Sequence, residues 1–188
     1  MEIYHGSPNR GIKEFDFSYS RPCSDYGRGV YFTTNFEQAM EWSCRHSEEG
    51  AVYGCEIHED DLKIMKIFTR EDEDLMYILY LCRIELEEIV NDSVNGFDDC
   101  DVIWGSMLAP ETEVFVENAE LFNEGELSFA EFSEKVKLFD DRHDQLCIKS
   151  MYALQKINDS INKIYYTQKT NTNVEVVESK SICSDIKI

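Results

Sequence analysis

The chain of 188 residues carries 38 acidic and 18 basic side chains, which give it a formal net charge of −20. Hydrophobic residues make up 43% and aromatic residues 12%, which is enough for a folded core and excludes wholesale disorder. Such a protein repels phosphate backbones, and because no basic cluster interrupts the acidity, nucleic acid is disfavoured as a partner. The acidity instead favours proteins with basic surfaces as partners.

Seven cysteines are scattered along the chain without a CxxC pair or a Cys/His spacing typical of zinc ligands. An odd and unpatterned set predicts neither a disulfide framework nor a metal site, and it suits a reducing compartment. The first residues lack the charged and apolar regions of a signal peptide. No apolar run reaches the roughly 18 residues that span a bilayer. We therefore expect a cytoplasmic protein without a membrane segment.

In chain order, the first half predicts short strands, one long loop and two helices. Apolar and β-branched runs mark strands at residues 1–7, 29–33, 51–59 and 62–68. The polar, turn-rich stretch 8–26 forms a loop, and loops of this length in compact domains are often functional. Thr34 and Glu37 make a capping-box pattern, with Asn35 as an alternative cap, so a helix begins there. Apolar residues at the helical period predict a second helix over 73–90.

The second half adds helices that do not alternate regularly with strands. The predicted elements are a strand at 101–108, acidic helices at about 114–124 and 129–138, a short strand at 145–149, a helix at 151–157 and a strand at 162–168. Gly125 separates the acidic helices, and Ser128 with Glu131 forms a capping box for the second of them. Short strands with separated helices predict an α+β fold.

One domain is expected over residues 1–168, with a helical insertion at about 113–138. The charged stretch 140–144, DDRHD, is predicted to be a loop. From Lys169 the composition becomes polar, and we expect residues 169–188 to form a frayed or tethered tail.

Four residues near the start of the chain could line a binding site. His5 ends the first strand beside Gly6, whose missing side chain lets a ligand approach the backbone. Strand alternation turns Tyr31 away from its apolar neighbours. On the next helix, Trp42 falls roughly 120° from Phe36, off the apolar stripe, and two such aromatics could enclose a flat ring. Each also has a structural interpretation: a surface histidine beside a turn glycine, an edge tyrosine, and a tryptophan covering the border of the core.

The stretches YHGS and GRGVYFTTNFEQAMEWS resemble the ADP-ribosyltransferase superfamily, in the branch shared with diphtheria toxin and the poly(ADP-ribose) polymerases. The signature of that branch is a histidine, a tyrosine and a third residue that is often glutamate. The blocks SRPCSDYGRGVYFTTNFEQAMEW, DVIWGSMLA and QLCIKSMYALQKI are similar to a bacterial family of unknown function assigned to the same superfamily. The resemblance spans roughly residues 1 to 158.

The resemblance implies a split, strongly bent β-core that grips NAD, the substrate, in a cleft. His5 would hold the ribose hydroxyl on the adenosine side. Gly6 and Ser7 would bind the cofactor, with the Gly6 backbone paired to the nicotinamide carboxamide. Tyr31 and Trp42 would enclose the nicotinamide ring. Candidates for the pyrophosphate are Ser20, Arg21 and Arg28.

The third signature position falls in DQLCI, where this chain has Gln145. A glutamate there would grip the ribose hydroxyl and stabilise the positive sugar electrostatically. Glutamine holds the hydroxyl without charge, which disfavours polymer elongation and leaves single transfer open. Asp144 should face the opposite side of the strand, but a register shift of one residue would make it the carboxylate. In the preceding loop, Arg142 and His143 either touch the acceptor or belong to a solvated turn.

The leading hypothesis is a mono-ADP-ribosyltransferase that releases nicotinamide and joins ADP-ribose to an acceptor, expected to be a protein. Such a protein could be a toxin or effector delivered to the cytosol of a target cell. The second hypothesis, motivated by Gln145, is an NAD- or ADP-ribose-binding or protein-interaction module without catalysis. A third, transfer of an RNA 2′-phosphate to NAD, conflicts with the net charge of −20. The acceptor and the oligomeric state stay open.

Overall fold

The computed structural model describes residues 1–20, 24–67, 100–107, 112–135 and 140–182. This part of the chain contains two four-stranded sheets and four α-helices, so the prediction of an α+β fold is confirmed. The predicted helix at 73–90 and the loop after it lie outside the described residues.

The elements largely follow the predicted order. In sequence they are β1 (Glu2–Ser7), β2 (Val30–Phe32), α1 (Phe36–Ser43), β3 (Glu49–Glu56), β4 (Ile64–Ile67), β5 (Val102–Met107), α2 (Thr112–Asn123), α3 (Phe129–Lys135), β6 (Asp140–Ile148), α4 (Met151–Asp159), β7 (Lys163–Lys169) and β8 (Val174–Ser181). Short 3₁₀ turns lie at Phe17–Tyr19 and Glu59–Asp61.

The two sheets meet along a seam between β1 and β2. One sheet has the order β1-β3-β7-β8 and the other β2-β6-β5-β4. Tyr4 on β1 exchanges both backbone hydrogen bonds with Thr33, just after β2, at 2.8 and 2.9 Å. This bridge joins the edge strands, so residues next to it lie where the sheets separate.

The hydrophobic core fills the space between the two sheets and is closed by α4. Its buried members come from both sheets and from the loop after β1, and they include Ile3, Phe15, Phe32, Tyr53, Leu146, Ile148 and Leu154. Burying one such aliphatic or aromatic side chain contributes about 1.5–3 kcal/mol. Because Val30 and Phe32 belong to this core, strand alternation places Tyr31 on the other face of β2.

Helix α1 packs against β1 and β3 through backbone contacts. A Cβ atom on Gly6 would collide with the carbonyl oxygen of Ala39, and one on Gly50 would collide with that of Ser43. Asn35 caps the helix by accepting from the N–H groups of Glu37 and Gln38. The alternative cap is therefore the correct one, and α1 fixes the position of the strand that carries His5.

Two predicted boundaries are wrong. The charged segment 140–144 is not a loop, because it forms the first part of β6. Pairing with β5, interrupted by an irregularity between Ser106 and Met107, overrides the poor strand propensity of its acidic residues.

Of the two alternatives for the tail, the frayed one is wrong as far as Ser181, because this part is tethered to β7 as a strand. Thr170 and Asn173 close a hairpin by a 2.7 Å backbone hydrogen bond. The valine-rich strand β8 then pairs with β7 at the edge of the sheet. By contrast, the Ser128–Glu131 capping box before α3 is confirmed, with reciprocal hydrogen bonds of 2.9 and 3.3 Å.

Candidate functional site

His5 lies at the seam and is held by the neighbouring strand. Its Nδ1 atom is 2.7 Å from the main-chain oxygen of Tyr31, and its ring packs against Phe15 and Phe32. A carbonyl oxygen only accepts, so Nδ1 carries the proton and Nε2 is the acceptor of the neutral ring. Burial lowers the pKa of His5 and therefore favours that neutral form. The side chain can accept a hydrogen bond from a ligand hydroxyl.

Gly6 follows on the edge of β1 that faces the seam. Since Tyr4 turns both backbone groups towards Thr33, antiparallel alternation directs the N–H and C=O of Gly6 to the same edge, away from β3. Helix α1 requires the lack of a side chain at Gly6, because a Cβ atom there would collide with the backbone of Ala39. Ser7 is buried, and its hydroxyl accepts from the N–H of Asn9 at 3.1 Å.

Tyr31 projects from the face of β2 opposite the core and fastens the preceding turn. Its hydroxyl donates to the carbonyl of Gly27 at 2.6 Å and accepts from the N–H of Tyr26 at 2.9 Å. Gly27 has φ of 72°, which favours glycine. Burial raises the pKa of Tyr31, with further increases from Cys147 and then from the charge of Asp25, so the phenol stays protonated. The ring is consequently held in one orientation.

Gln145 and Asp144 occupy opposite faces of β6, as alternation predicts. Gln145 is 9% exposed, and its Nε2 atom donates to the Oδ2 atom of Asp25 at 2.6 Å. On β5, Gly105 pairs with Gln145 and Ser106 with Asp144. In this register Gln145 shares a face with Cys147, which lies against the turn carrying Asp25.

The carboxylate of Asp144 is fully engaged in hydrogen bonds that hold the fold together. One carboxylate oxygen accepts from the Thr33 hydroxyl at 2.6 Å and from the Thr34 N–H at 2.9 Å. The other accepts from the Thr34 hydroxyl at 2.9 Å and from Trp104 Nε1 at 2.7 Å. Asp144 therefore ties the start of α1 to β5. Among the two candidates for the third position, this leaves Gln145 on the side of Tyr31.

These contacts connect the three predicted signature positions, His5, Tyr31 and Gln145, through one turn. The ring of His5 contacts the main chain of Tyr31, whose hydroxyl holds the turn that carries Asp25, and Asp25 contacts Gln145. The hydroxyl of buried Tyr26 donates to the Ser106 carbonyl at 2.7 Å, which anchors the same turn. Nothing in the sequence singles out Asp25, because it is 120 residues from Gln145 in the chain and only the fold brings the two side chains together.

Other predicted residues are not joined to this network. Trp42 is 44% exposed on α1 and lies under the guanidinium of Arg45, 4.5 Å from the ring centroid. No ring-to-ring contact between Trp42 and Tyr31 is present in the described part of the chain. The hydroxyl of Ser20 donates to the Phe17 carbonyl at 2.7 Å, which ends a 3₁₀ turn.

The cationic candidates are only partly described. Arg28 exposes its side chain, and its carbonyl accepts from Lys149 Nζ at 2.8 Å. Arg21 and the side chain of Arg142 lie outside the described residues. His143 is half-buried within β6, so the acceptor loop expected at this position is replaced by a strand.

A surface depression of about 260 Å³ lies elsewhere, lined by residues of 56–62 and 156–160, none of which belongs to the network. Within the described ranges, no three His, Cys, Asp or Glu side chains are grouped to hold a metal ion. None of the helices in these ranges combines the length and apolarity needed to cross a membrane.

The family of the chain follows from comparison with known proteins. No curated protein and no solved structure matches the sequence. A family model described as "Protein of unknown function (DUF3990)" matches residues 1–158, a span that holds the whole network and ends before β7. The chain therefore belongs to the DUF3990 family.

Proposed function

We propose that the protein is a mono-ADP-ribosyltransferase, which uses NAD as its substrate, releases nicotinamide and transfers ADP-ribose to an acceptor, expected to be a protein. One observation carries the proposal. His5, Tyr31 and Gln145 come from three different strands, and they are connected by a hydrogen bond from His5 to Tyr31 and by the turn at 25–27, which bonds to both Tyr31 and Gln145. A neutral acceptor, a fixed aromatic ring and a polar group thus lie on connected elements.

His5 and Gly6 would recognise the two ends of the dinucleotide. Neutral Nε2 of His5 accepts from a hydroxyl of the adenosine ribose, while Nδ1 stays on Tyr31. A primary carboxamide carries one carbonyl and one NH₂ group, so it matches the N–H and C=O that Gly6 presents at the edge of β1. Both interactions select NAD by hydrogen bonding that needs no positive charge on this acidic chain.

Tyr31 would form one wall of the nicotinamide slot and Trp42 the other. The hydroxyl bonds of Tyr31 fix its ring, which lowers the entropy lost on stacking. Trp42 exposes 44% of its surface, and the Arg45 guanidinium lies over one face of its ring, so the ligand would stack on the other face or replace Arg45. For the pyrophosphate we retain Ser20, Arg21 and Arg28, of which Arg28 exposes its side chain, and Ser7 stays a candidate for binding NAD.

In the proposed reaction, the bond between nicotinamide and ribose C1′ breaks, and its electron pair leaves with the neutral nicotinamide. Positive charge develops on C1′ and the ring oxygen of the sugar. The acceptor then attacks C1′ and loses a proton. The residues of this chain would orient the ribose and restrict rotation of the nicotinamide ring. Gln145 would form a hydrogen bond with the hydroxyl of the reacting ribose.

An inactive binding module is the second candidate. It is favoured by the amide of Gln145, which brings no charge of its own to the developing cation. Binding of NAD or ADP-ribose without turnover would identify this function.

The test combines calorimetric NAD binding with release of nicotinamide from labelled NAD in the presence of several protein acceptors. His5→Ala and Tyr31→Ala should each lower turnover by about 100-fold or more, because each removes a positioning contact. The matched controls His58→Ala and Tyr152→Ala alter exposed side chains and should leave turnover unchanged. If the wild type neither binds NAD nor releases nicotinamide, both candidate functions are refuted.

A further inference from the structure

We propose that Asp25 supplies the negative charge that the Gln145 amide lacks, and that the two side chains act as a pair towards the reacting ribose. This inference rests on the proposed transferase function and adds a catalytic residue to it. The Nε2 atom of Gln145 donates to Oδ2 of Asp25 at 2.6 Å, a short hydrogen bond between a neutral donor and a charged acceptor. The pair carries one negative charge, as a single glutamate would.

The turn that holds Asp25 is fastened on several sides. Tyr31 bonds to the N–H of Tyr26 and the carbonyl of Gly27. Lys149 Nζ donates to two carbonyl oxygens of the same turn, at 3.1 and 2.8 Å. A charge held by so many contacts requires little rearrangement when the transition state forms, which is the condition for effective electrostatic stabilisation.

The charge of Asp25 lies on the same side of β6 as Tyr31. Tyr31 pairs with Cys147, which shares its face of β6 with Gln145, and Gln145 bonds to Asp25. Burial and then the carboxylate of Asp25 raise the pKa of Tyr26, and burial, Cys147 and then Asp25 raise the pKa of Tyr31. Asp144 cannot substitute for it, because its carboxylate lies on the other face and accepts four hydrogen bonds from Thr33, Thr34 and a tryptophan of β5.

The chemical role follows from the charge that develops during cleavage. As the C1′–N bond breaks and its electrons leave with nicotinamide, the sugar acquires oxocarbenium character. A carboxylate close to such a cation lowers the barrier, as in glycoside cleavage. The Gln145 amide would hold Asp25 in place and use its oxygen for the ribose hydroxyl. No bond to Asp25 forms, and the proton released by the acceptor passes to solvent.

The decisive variant is Asp25→Asn, which can keep an amide-to-oxygen hydrogen bond with Gln145 but loses the charge. We expect nicotinamide release to fall by about 100-fold, while the NAD dissociation constant changes by less than about threefold. Asp159→Asn, on an exposed position of α4, is the matched control and should keep the wild-type rate.

The double variant Asp25→Asn with Gln145→Glu reverses the pair and restores one negative charge. It should recover at least about tenfold over Asp25→Asn, whereas a purely anchoring role predicts no recovery. Two outcomes would overturn the role of Asp25. In the first, Asp25→Asn releases nicotinamide at the wild-type rate. In the second, Asp25→Asn is slow and the double variant is no faster. Failure of the transferase proposal is recognised separately, because the wild type itself would then release no nicotinamide, and the inference would fall with it.

Discussion

On one face of β6, Asp144 accepts four hydrogen bonds and joins the start of α1 to β5. On the other face, the side chain of the neighbouring Gln145 donates a short hydrogen bond to Asp25, on the turn before β2. The carboxylate that is nearest to the third position in sequence is therefore used for the fold. The charge on the side of Tyr31 comes from a residue far away in the chain, so adjacency in sequence is a poor guide to the site.

Asp144→Asn should produce the largest loss of stability, about 3 kcal/mol. Each carboxylate oxygen accepts a hydrogen bond from an N–H group that can only donate: one from the Thr34 backbone and the other from Trp104 Nε1. An amide in either orientation turns its NH₂ group towards one of these donors, which is then left without an acceptor. Urea unfolding at neutral pH measures the change.

Gln145→Met is the comparison that can break this contrast. We expect it to cost about 1 kcal/mol or less in unfolding free energy, because Asp25 is only half-buried and can bond to water instead. Equal losses of unfolding free energy for Asp144→Asn and Gln145→Met would show that the side chains on both faces of β6 contribute equally to stability.

Tyr31→Phe should have an intermediate effect, a loss of about 1–2 kcal/mol, because the backbone groups of Tyr26 and Gly27 lose their partner. Amide hydrogen exchange at Tyr26 should become faster, since its N–H is then unprotected. Tyr19→Phe is the control, because Tyr19 is 88% exposed and its hydroxyl lies in solvent. If both variants are equally stable, the turn is held by other contacts.

The smallest effect is a pH dependence due to His5. Burial places its folded-state pKa below the ordinary value of 6.5, so the unfolded chain takes up the proton first as the pH falls. The contribution to stability is complete above about pH 6.5, decreases below it, and levels off once the pH passes below the folded pKa. Unfolding free energies of His5→Asn should therefore fall less steeply below pH 6.5 than those of the wild type. His58→Asn, at an exposed position, should keep the wild-type slope, and a parallel profile for His5→Asn would contradict the prediction.

Local patterns predicted much of the framework. The cap of α1, the capping box of α3 and the strand character of β1 and β5 depend on residues a few positions apart. Errors occurred where pairing with a distant strand decides the conformation. Residues 140–144 are extended because β5 pairs with them, and β8 forms because β7 lies beside it.

The sequence by itself determined that Tyr31 leaves the core face of β2 and that Asp144 and Gln145 diverge, since both follow from the period of two in a strand. Only the tertiary structure decided that Gly6 admits the backbone of α1 and that Asp25 reaches Gln145. The physical reason is that these contacts join segments whose approach depends on the paths of turns and the register of sheets. Neither quantity is set by residue type or periodicity alone.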